Sequence, residues 1–412
     1  MAKTRVGIDI GSSAVRVAEV AAGDVPVVVR AAQVPLPLGA VEAGEVRAPD
    51  LVAEALRELW GKAGVKSKQV HLGVGNQRVV VREIALPWLP EKELRDTLPF
   101  QVQEFIPMAA DEAVLDFDPL GEIDQGGRRM QRILLVAAHR GMVNTLVEAV
   151  LGAKLEPVNI DLTPFAVVRA VGMGDQALDL ESEGDEAVID IGAHVTSICV
   201  HDRGTTRFVR MLPSGGRDIT LAIARGTGID DDLAERLKRG ESGDSVPPPP
   251  PAPDGPDEAT DQDAGQAEAA AQAPSPTPDS APDVPTPAAP GEADAPNGGG
   301  APNGSGSPNP EDVRRIALSR AGSFVDEVRS TLEFYATQVP GARVARLQVV
   351  GGGSRLEGFL ELFQERIPVP VDRGRLFEHV KSELELSPDA AAEAEAVLSA
   401  AVGLAIPERR RS

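Results

Sequence analysis

The sequence predicts an α/β protein with two lobes, and three observations support this fold class. Short runs rich in β-branched residues alternate with segments of helical periodicity, as in proteins whose sheets are covered by helices. The tetrapeptide Ile-Asp-Ile-Gly occurs at residues 8–11 and again at 189–192, each time between two strand-like runs, which indicates a duplicated unit. The 412 residues, of which 42% are hydrophobic, are enough for two or three domain-sized cores.

The predicted elements follow the periodicity of the apolar residues along the chain. In the part up to the second repeat, we expect strands at 5–10, 15–20, 79–84 and 133–138, helices at 50–60, 91–105 and 141–151, and a strand pair at 187–191 and 196–201. Further helices are expected at 231–238 and 313–338, and a strand is expected just before residue 350.

Residues 241–310 have a composition unlike that of the rest of the chain. They contain 18 of the 35 prolines and 12 of the 63 acidic residues but no Lys or Arg, and Val246 and Val284 are their only branched apolar side chains. Such a segment cannot bury enough apolar surface to offset its ordering entropy. We therefore expect a disordered linker, inserted between two helices of one subdomain.

Charge and cysteine content limit the possible partners and the compartment. The net charge of −22 argues against broad binding to nucleic acid or to anionic lipid, because like charges repel. The single cysteine, Cys199, cannot form an internal disulfide, and the start of the chain lacks the pattern of a secretory signal. The longest apolar runs are shorter than the ~20 residues of a membrane-spanning helix. These features predict a cytoplasmic protein whose contact with a membrane is indirect.

The two repeated turns have the composition of phosphate-binding turns. Gly11 and Gly192 let a phosphate approach the backbone N–H groups, because they have no Cβ atom. The hydroxyls of Ser12, Ser13 and Thr196 add hydrogen-bond donors. Asp9 and Asp190, at the strand ends, would be repelled by phosphate and instead suit a shared Mg²⁺ ion. A single copy would be read as an ordinary hairpin turn, but two copies favour the nucleotide interpretation.

A third glycine cluster follows the apolar run that ends at Val350. It consists of Gly351, Gly352, Gly353 and Ser354, and a helix is expected from Leu356 onwards. This arrangement suits the close approach of a flat or anionic ligand to a helix N-terminus. The chain contains neither the Walker-type glycine-lysine motif nor the dinucleotide-binding glycine fingerprint, so these two nucleotide-binding classes are disfavoured.

Taken in order, five segments resemble the motifs of the superfamily of actin, the sugar kinases and the Hsp70 ATPases. They correspond to a first phosphate turn, a first connecting helix, a second phosphate turn, an adenosine motif and a second connecting helix, and lie at 7–16, 160–168, 188–196, 349–356 and 400–406. Four further segments look like those of the type IV pilus assembly protein PilM family, a relative of the cell-division protein FtsA. They lie at 36–41, 76–82, 100–107 and 212–220.

The resemblance implies an actin-like fold of two ribonuclease H-like lobes, with an SHS2-type subdomain inserted in the first lobe. The domain boundaries that follow are the first lobe at 1–24, the inserted subdomain at 25–150, the first connector at 151–185, the second lobe at 186–240, the linker at 241–310, the adenosine-motif part of the second lobe at 311–395, and the second connector with an Arg-rich tail at 396–412.

The resemblance also implies roles for single residues in binding ATP and Mg²⁺. Asp9 and Asp190 would organise the Mg²⁺ ion, Arg16 stands where relatives place a lysine that points at the phosphates, and Asp161 would orient an attacking water. Gly215 and Gly216 would contact the nucleotide, and Glu235 and Lys238 would reach its ribose and adenine. At most slow ATP hydrolysis is expected.

Members of the PilM family bind the cytoplasmic tail of the bitopic inner-membrane protein PilN, so the resemblance implies the same partner here. We expect this tail on the inserted subdomain, at Leu94, Leu98, Phe105 and Ile106, because these apolar residues match no nucleotide motif. Self-association stays open. Two alternatives also remain: an FtsA-like division protein and a small-molecule kinase of the same superfamily. A metal site at His194, Cys199 and His201 is disfavoured, because further ligands are missing.

Overall fold

The computed structural model describes residues 3–172, 184–241, 308–339 and 341–407. Most of the predicted linker, residues 242–307, and the Arg-rich end of the chain therefore lie outside the described residues. In the described part of the chain, none of the helices combines the length and the apolar character needed to cross a membrane.

The first lobe opens with a strand meander and a small hairpin, followed by a helix and a further strand. These elements are β1 (Thr4–Ile10), β2 (Ala14–Ala21), β3 (Val27–Pro35), β4 (Val41–Glu42), β5 (Glu45–Val46), α1 (Pro49–Ala63) and β6 (Gln69–Val74). The chain then leaves this lobe and forms a small subdomain with a sheet of its own. Its elements are β7 (Val79–Pro87), α2 (Glu91–Gln101), β8 (Ala113–Gln125) and β9 (Arg128–His139).

The chain returns to the first lobe and then crosses to the second. The return comprises α3 (Arg140–Gly152), β10 (Glu156–Leu162) and the connecting helix α4 (Thr163–Val171). The second lobe comprises β11 (Asp185–Ile191), β12 (Thr196–Asp202), β13 (Thr205–Leu212), α5 (Gly216–Thr227), α6 (Asp231–Lys238), α7 (Pro310–Gln338), β14 (Val344–Val350), α8 (Phe359–Arg366), β15 (Val371–Arg373) and α9 (Leu376–His379). The last elements are β16 (Lys381–Ser382), α10 (Pro388–Val397) and α11 (Ser399–Ala405).

The two main sheets have the same strand order, which confirms the duplication that the repeated tetrapeptide predicts. In the first sheet the order is β10-β6-β1-β2-β3-β16, and in the second it is β13-β12-β11-β14-β15. In each sheet the strand that carries the repeat, β1 or β11, begins an antiparallel three-stranded meander on one side and pairs with the first of two parallel strands on the other, and the first sheet has β16 as an additional edge strand. Asp9 pairs with Arg16 across its hairpin, and Asp190 pairs with Ser197 at the corresponding place.

The inserted subdomain is smaller than the sequence indicated. Strand β3, helix α1 and strand β6 fall within the predicted range 25–150, but the two strands belong to the six-stranded sheet of the first lobe, and α1 packs on that sheet. The separate sheet has only three strands, in the order β7-β9-β8, and spans residues 79–139. The boundary prediction was wrong because strand pairing between β1 and β6 joins residues that are distant in sequence.

The two connecting helices cross in close contact beneath the cleft between the sheets. A Cβ atom at Gly403 of α11 would lie only 1.8 Å from the backbone oxygen of Ala166 in α4. A Cβ atom at Gly7 of β1 would lie 2.0 Å from the backbone oxygen of Ala401. Only glycine fits at such positions. These close contacts hold α11 against α4 and against strand β1 of the first sheet.

Candidate nucleotide cleft

A cleft of about 880 Å³ lies between the two main sheets and is lined by most of the predicted nucleotide-binding residues. Those that line it are Asp9, Gly11, Ser12, Ser13, Arg16, Asp190, Gly192, Gly216, Glu235, Lys238, Gly351, Gly352 and Gly353. They come from the two repeated turns, from α5 and α6, and from the glycine cluster after β14. The structure therefore brings together four segments that are up to 344 residues apart in the sequence.

The two repeated turns have matching hydrogen bonds. The Gly11 N–H donates to the Ala14 carbonyl over 3.1 Å, and the Gly192 N–H donates to the Val195 carbonyl over 3.0 Å. In the second lobe, Gly192 also accepts a bond of 2.9 Å from the N–H of Gly216, at the start of α5. The turns thus close in the same way in both lobes, and the N-terminus of α5 is fixed beside the second turn.

Three charged side chains meet between the turns. The Arg16 Nη1 atom donates to Asp9 Oδ2 over 3.1 Å, and both side chains are less than a fifth exposed. The pKa of Asp190 is raised to about 7, mainly because the carboxyl group is buried and also because the Asp9 carboxylate is near, while Arg16 partly offsets the rise. Two neighbouring carboxylates of this kind repel each other, and a cation between them would relieve the repulsion.

The cleft residues fit ATP and a Mg²⁺ ion. The buried Nε atom of Arg16 has no hydrogen-bond partner in the structure, so it is available to an anion. The described residues contain no group of three or more His, Cys, Asp or Glu side chains that could hold a metal ion by themselves. Mg²⁺ is commonly held by one or two carboxylates together with phosphate oxygens and water. Asp9 and Asp190 supply the carboxylates in that arrangement.

The glycine cluster after β14 packs directly on the second turn. Gly351 has φ +86° and ψ 160°, a region that side chains other than glycine rarely adopt. A Cβ atom there would lie 2.4 Å from Asp190 Oδ1, and one at Gly353 would lie 2.5 Å from a side-chain carbon of Ile191. The absence of side chains at these positions allows the glycine cluster to contact the strand end that carries Asp190.

Beside the glycine cluster, Glu235 and Lys238 of α6 form a hydrogen-bonded group with α5. Lys238 Nζ donates to Glu235 Oε2 over 2.6 Å, to Thr220 Oγ1 over 2.8 Å and to the Gly216 carbonyl over 3.0 Å. Burial lowers the pKa of Lys238, and the Glu235 carboxylate offsets only part of this. Burial would raise the pKa of Glu235, but Lys238 lowers it overall. The pair is held rigidly at the cleft wall.

Three of the predicted nucleotide residues support the walls and do not line the cleft. Thr196 is fully buried, and its hydroxyl donates to the Ser214 carbonyl over 2.8 Å. The Ser354 hydroxyl donates to the Gly351 carbonyl over 2.7 Å, which fixes the glycine cluster. Gly215 packs against the second turn, since a Cβ atom there would lie 2.5 Å from the Gly192 carbonyl oxygen.

Asp161 does not line the cleft either. Its carboxylate forms an ion pair with Arg169 of α4 and accepts a bond of 2.7 Å from the Leu162 N–H. Arg169 also donates to the Gly403 carbonyl over 3.1 Å, so the pair joins both connecting helices. The residue from this connector that does line the cleft is Thr163, at the start of α4. A hydroxyl residue immediately before a proline is a helix-start signal, which could have identified it.

The predicted partner-binding residues mostly form the core of the small subdomain. Leu94, Leu98 and Ile106 are at most 7% exposed, and Phe105 is half-buried against the same cluster. They pack between α2 and the three-stranded sheet and do not form an exposed surface. The large apolar side chain that this helix does expose is Phe100, at 78%. The prediction of a contact surface at the three leucine and isoleucine residues was therefore wrong.

The duplicated sheets, the cleft with two facing aspartate turns and the tightly crossed connectors define the chain as an actin-like protein. The sequence model of the type IV pilus assembly protein PilM family matches residues 7–245, which is more than half of the chain. The chain belongs to this family. The model of the cell-division protein FtsA matches residues 187–396, mainly in the second lobe, as expected for members of one superfamily.

Solved structures and a curated relative agree with this assignment. A chain in the structure of a PilM–PilN type IV pilus biogenesis complex is 25% identical, with a TM-score of 0.70 and 97% of both chains covered. The ethanolamine utilization protein EutJ from Carboxydothermus hydrogenoformans is 16% identical, with a TM-score of 0.51 and coverage of 98% of this chain and 90% of EutJ, and shares the fold. FtsA of Bacillus subtilis (strain 168) is 28% identical over 186 residues, which cover 45% of this chain and 39% of that relative.

Proposed function

We propose that this protein binds Mg·ATP in the cleft and serves as a scaffold of type IV pilus assembly. The observation that carries the nucleotide part is the pair of aspartate turns, which have the same hydrogen bonds and face each other across one cleft. A hairpin that binds no ligand does not require a second, matching turn across a cleft. Nor does it require a glycine in contact with the Asp190 carboxylate. The family assignment supports the role in pilus assembly.

The residues take the following roles in this proposal. Asp9 and Asp190 hold the cation, and the N–H groups of the Gly11 and Gly192 turns face the phosphates. The Glu235–Lys238 pair and the glycine cluster flank the ribose and the base. Bound Mg²⁺ would neutralise phosphate charge. We expect at most slow hydrolysis, because the carboxylate of Asp161 is paired with Arg169 and does not face the cleft.

A small-molecule kinase is less well supported than a scaffold. The cleft continues past the phosphate turns towards α3, where its wall is formed by the apolar side chains of Leu36, Val46, Met142 and Leu146. A sugar or acid substrate needs hydrogen-bonding groups and a general base at such a place. These four side chains offer neither, so they give no support to phosphate transfer to a polar acceptor.

The partner in this proposal is the cytoplasmic tail of a bitopic inner-membrane protein resembling PilN. The support comes from the solved complex, which contains PilM together with PilN. Such a partner would bring the protein to the inner face of the cytoplasmic membrane. We place the docking surface on the small subdomain at 79–139, since its sheet is separate from both nucleotide-binding lobes.

Calorimetric titration with Mg·ATP tests the nucleotide part. Asp9→Ala and Asp190→Ala should each weaken binding by at least about tenfold, which corresponds to about 1.4 kcal/mol. Asp24→Ala is the matched control, because Asp24 is exposed and does not line the cleft. Unchanged affinity in both cleft variants would contradict the assignment of the two turns.

Fluorescence anisotropy with a labelled PilN-like tail peptide tests the partner part. Phe100→Ala should weaken binding, whereas Phe334→Ala, which removes a partly exposed phenyl ring from the second lobe, should not. Melting temperatures of both variants control for loss of fold. Equal peptide affinity of the wild type and the Phe100 variant would argue against docking at the end of α2.

A further inference from the structure

The charge balance between the two aspartate turns has a consequence for the order in which ligands enter the cleft. Arg16 stands opposite Asp9 in the β1–β2 hairpin, so the register of two paired strands places the two side chains together. The ion pair of 3.1 Å is therefore built into the hairpin. The corresponding residue of the second lobe, opposite Asp190, is the uncharged Ser197.

The guanidinium already occupies one carboxylate oxygen of Asp9, which a cation bound at Asp9 would also have to approach. Arg16 Nη1 contacts Asp9 Oδ2 and also lies 3.3 Å from the place where a Cβ atom of Gly11 would be. A divalent cation at Asp9 would thus meet a fixed positive charge at close range.

We propose that Arg16 is an internal counter-ion that keeps divalent cations away from Asp9 until a phosphate draws its guanidinium aside. This inference rests on the cation site of the proposed function. The buried Nε atom of Arg16 has no partner in the structure, so it can donate a hydrogen bond to an entering phosphate. Once Arg16 binds phosphate, Asp9 is free for the cation.

The inference predicts that the cation and the nucleotide enter together. In the nucleotide-free protein the cation competes with Arg16, so it should bind weakly when supplied alone. When the phosphate binds, the same arginine leaves the Asp9 carboxylate and stabilises the anion. Both the cation and the nucleotide therefore bind more tightly together than alone. A lysine would keep the positive charge, whereas methionine keeps most of the length without the charge.

Binding of Mn²⁺ to the nucleotide-free protein, followed by electron paramagnetic resonance, tests the inference. Arg16→Met should bind Mn²⁺ at least about tenfold more tightly than the wild type, and Arg16→Lys should stay within about threefold of the wild type. Adding Asp9→Asn to Arg16→Met should abolish the gain. Arg217→Met is the matched control, because it removes another arginine of the cleft wall that pairs with Asp231.

The outcomes separate this inference from the proposed function. Equal Mn²⁺ affinity of the wild type and Arg16→Met, absence of binding in both, or an equal gain in Arg217→Met would each overturn the counter-ion role, whatever the affinity for Mg·ATP. Tighter Mn²⁺ binding by Arg16→Met that is lost when Asp9→Asn is added supports the counter-ion role. If calorimetry then shows no Mg·ATP binding, only the proposed nucleotide function fails.

Discussion

Replacing Gly351 by alanine should perturb the cleft more strongly than any other single methyl addition in the glycine cluster. The new Cβ atom would lie 2.4 Å from Asp190 Oδ1 and 2.5 Å from the Ile191 carbonyl oxygen. Neither contact can be relieved by a flexible side-chain end, because one neighbour is backbone and the other is a carboxylate close to its own Cα. The backbone conformation itself, at φ +86° and ψ 160°, is also unfavourable for alanine.

The two effects can be given approximate magnitudes. A residue other than glycine in this region of φ and ψ costs roughly 1–3 kcal/mol. Forcing an extra methyl group into a packed site costs a further ~1–3 kcal/mol. Their central values add to about 4 kcal/mol. At about 2 °C for each kcal/mol, which is typical of larger domains, the melting temperature should fall by about 8 °C.

Thermal unfolding of matched variants measures this effect. Gly352→Ala is the control, since Gly352 is exposed and its Cβ atom would have a single neighbour, a Val397 methyl group at 3.8 Å. Its melting temperature should stay within about 1 °C of the wild type. Gly351→Ala should also bind Mg·ATP more weakly, because Asp190 must move. Similar melting temperatures for the two variants would show that the motif does not pack on Asp190 as described.

Three further predictions concern other parts of the chain. Leu94→Ala should lower the free energy of unfolding by about 3 kcal/mol in denaturant titration, because Leu94 is fully buried, whereas Phe100→Ala should change it by less than about 0.5 kcal/mol. Burial lowers the pKa of His201 to about 4. The unfolded imidazole gains its proton near pH 6.5, so acidification from about pH 6.5 to 4 should remove up to about 3 kcal/mol of stability, and His201→Asn should flatten this dependence. Replacing residues 242–307 by a short Gly/Ser loop should leave the melting temperature and the ATP affinity nearly unchanged; a loss of either would contradict the prediction of a disordered linker.

The duplicated sheets could be predicted because their signal is local. The residues Ile-Asp-Ile-Gly combine two strand-forming side chains with a turn glycine, and four neighbouring residues are sufficient to fix a tight hairpin. The structure contains both hairpins with the same turn hydrogen bond, at Gly11 and at Gly192. The repeated turn also placed Asp9 and Asp190 at equivalent strand ends, so the centre of the cleft followed from the sequence.

The extent of the inserted subdomain could not be predicted, because it depends on which strands pair. The run at 69–74 has the composition of a strand but contains no sign that it lies beside β1, more than 60 residues earlier. The contacts of the apolar stripe of α2 could not be predicted for a similar reason. Leu94 and Leu98 would look the same whether they covered a sheet of their own chain or bound a partner, and the structure shows that they cover the sheet.

The position of Asp161 illustrates a third limit. Its place at the start of the first connector suggested a role beside the phosphates, and it does lie near the end of strand β10, just before α4. Its side chain is directed by Arg169, two helical turns further along, which pairs with it and with the carbonyl of Gly403. A charge partner on a different element decides where a carboxylate points, and motif order contains no information on that partner.

One link between the cleft and the small subdomain passes through a buried amide side chain. Asn76, which is 1% exposed, donates to the Gly44 carbonyl over 3.1 Å and accepts from the Arg78 N–H over 2.8 Å. Gly44 lines the cleft, and the Arg78 carbonyl accepts a bond of 3.3 Å from the N–H of His139, at the end of the subdomain. Both chain crossings at the root of the subdomain are therefore tied to the cleft wall. Rotation of the subdomain against the first lobe would strain these bonds, so Asn76 couples the position of the subdomain root to that of the cleft wall.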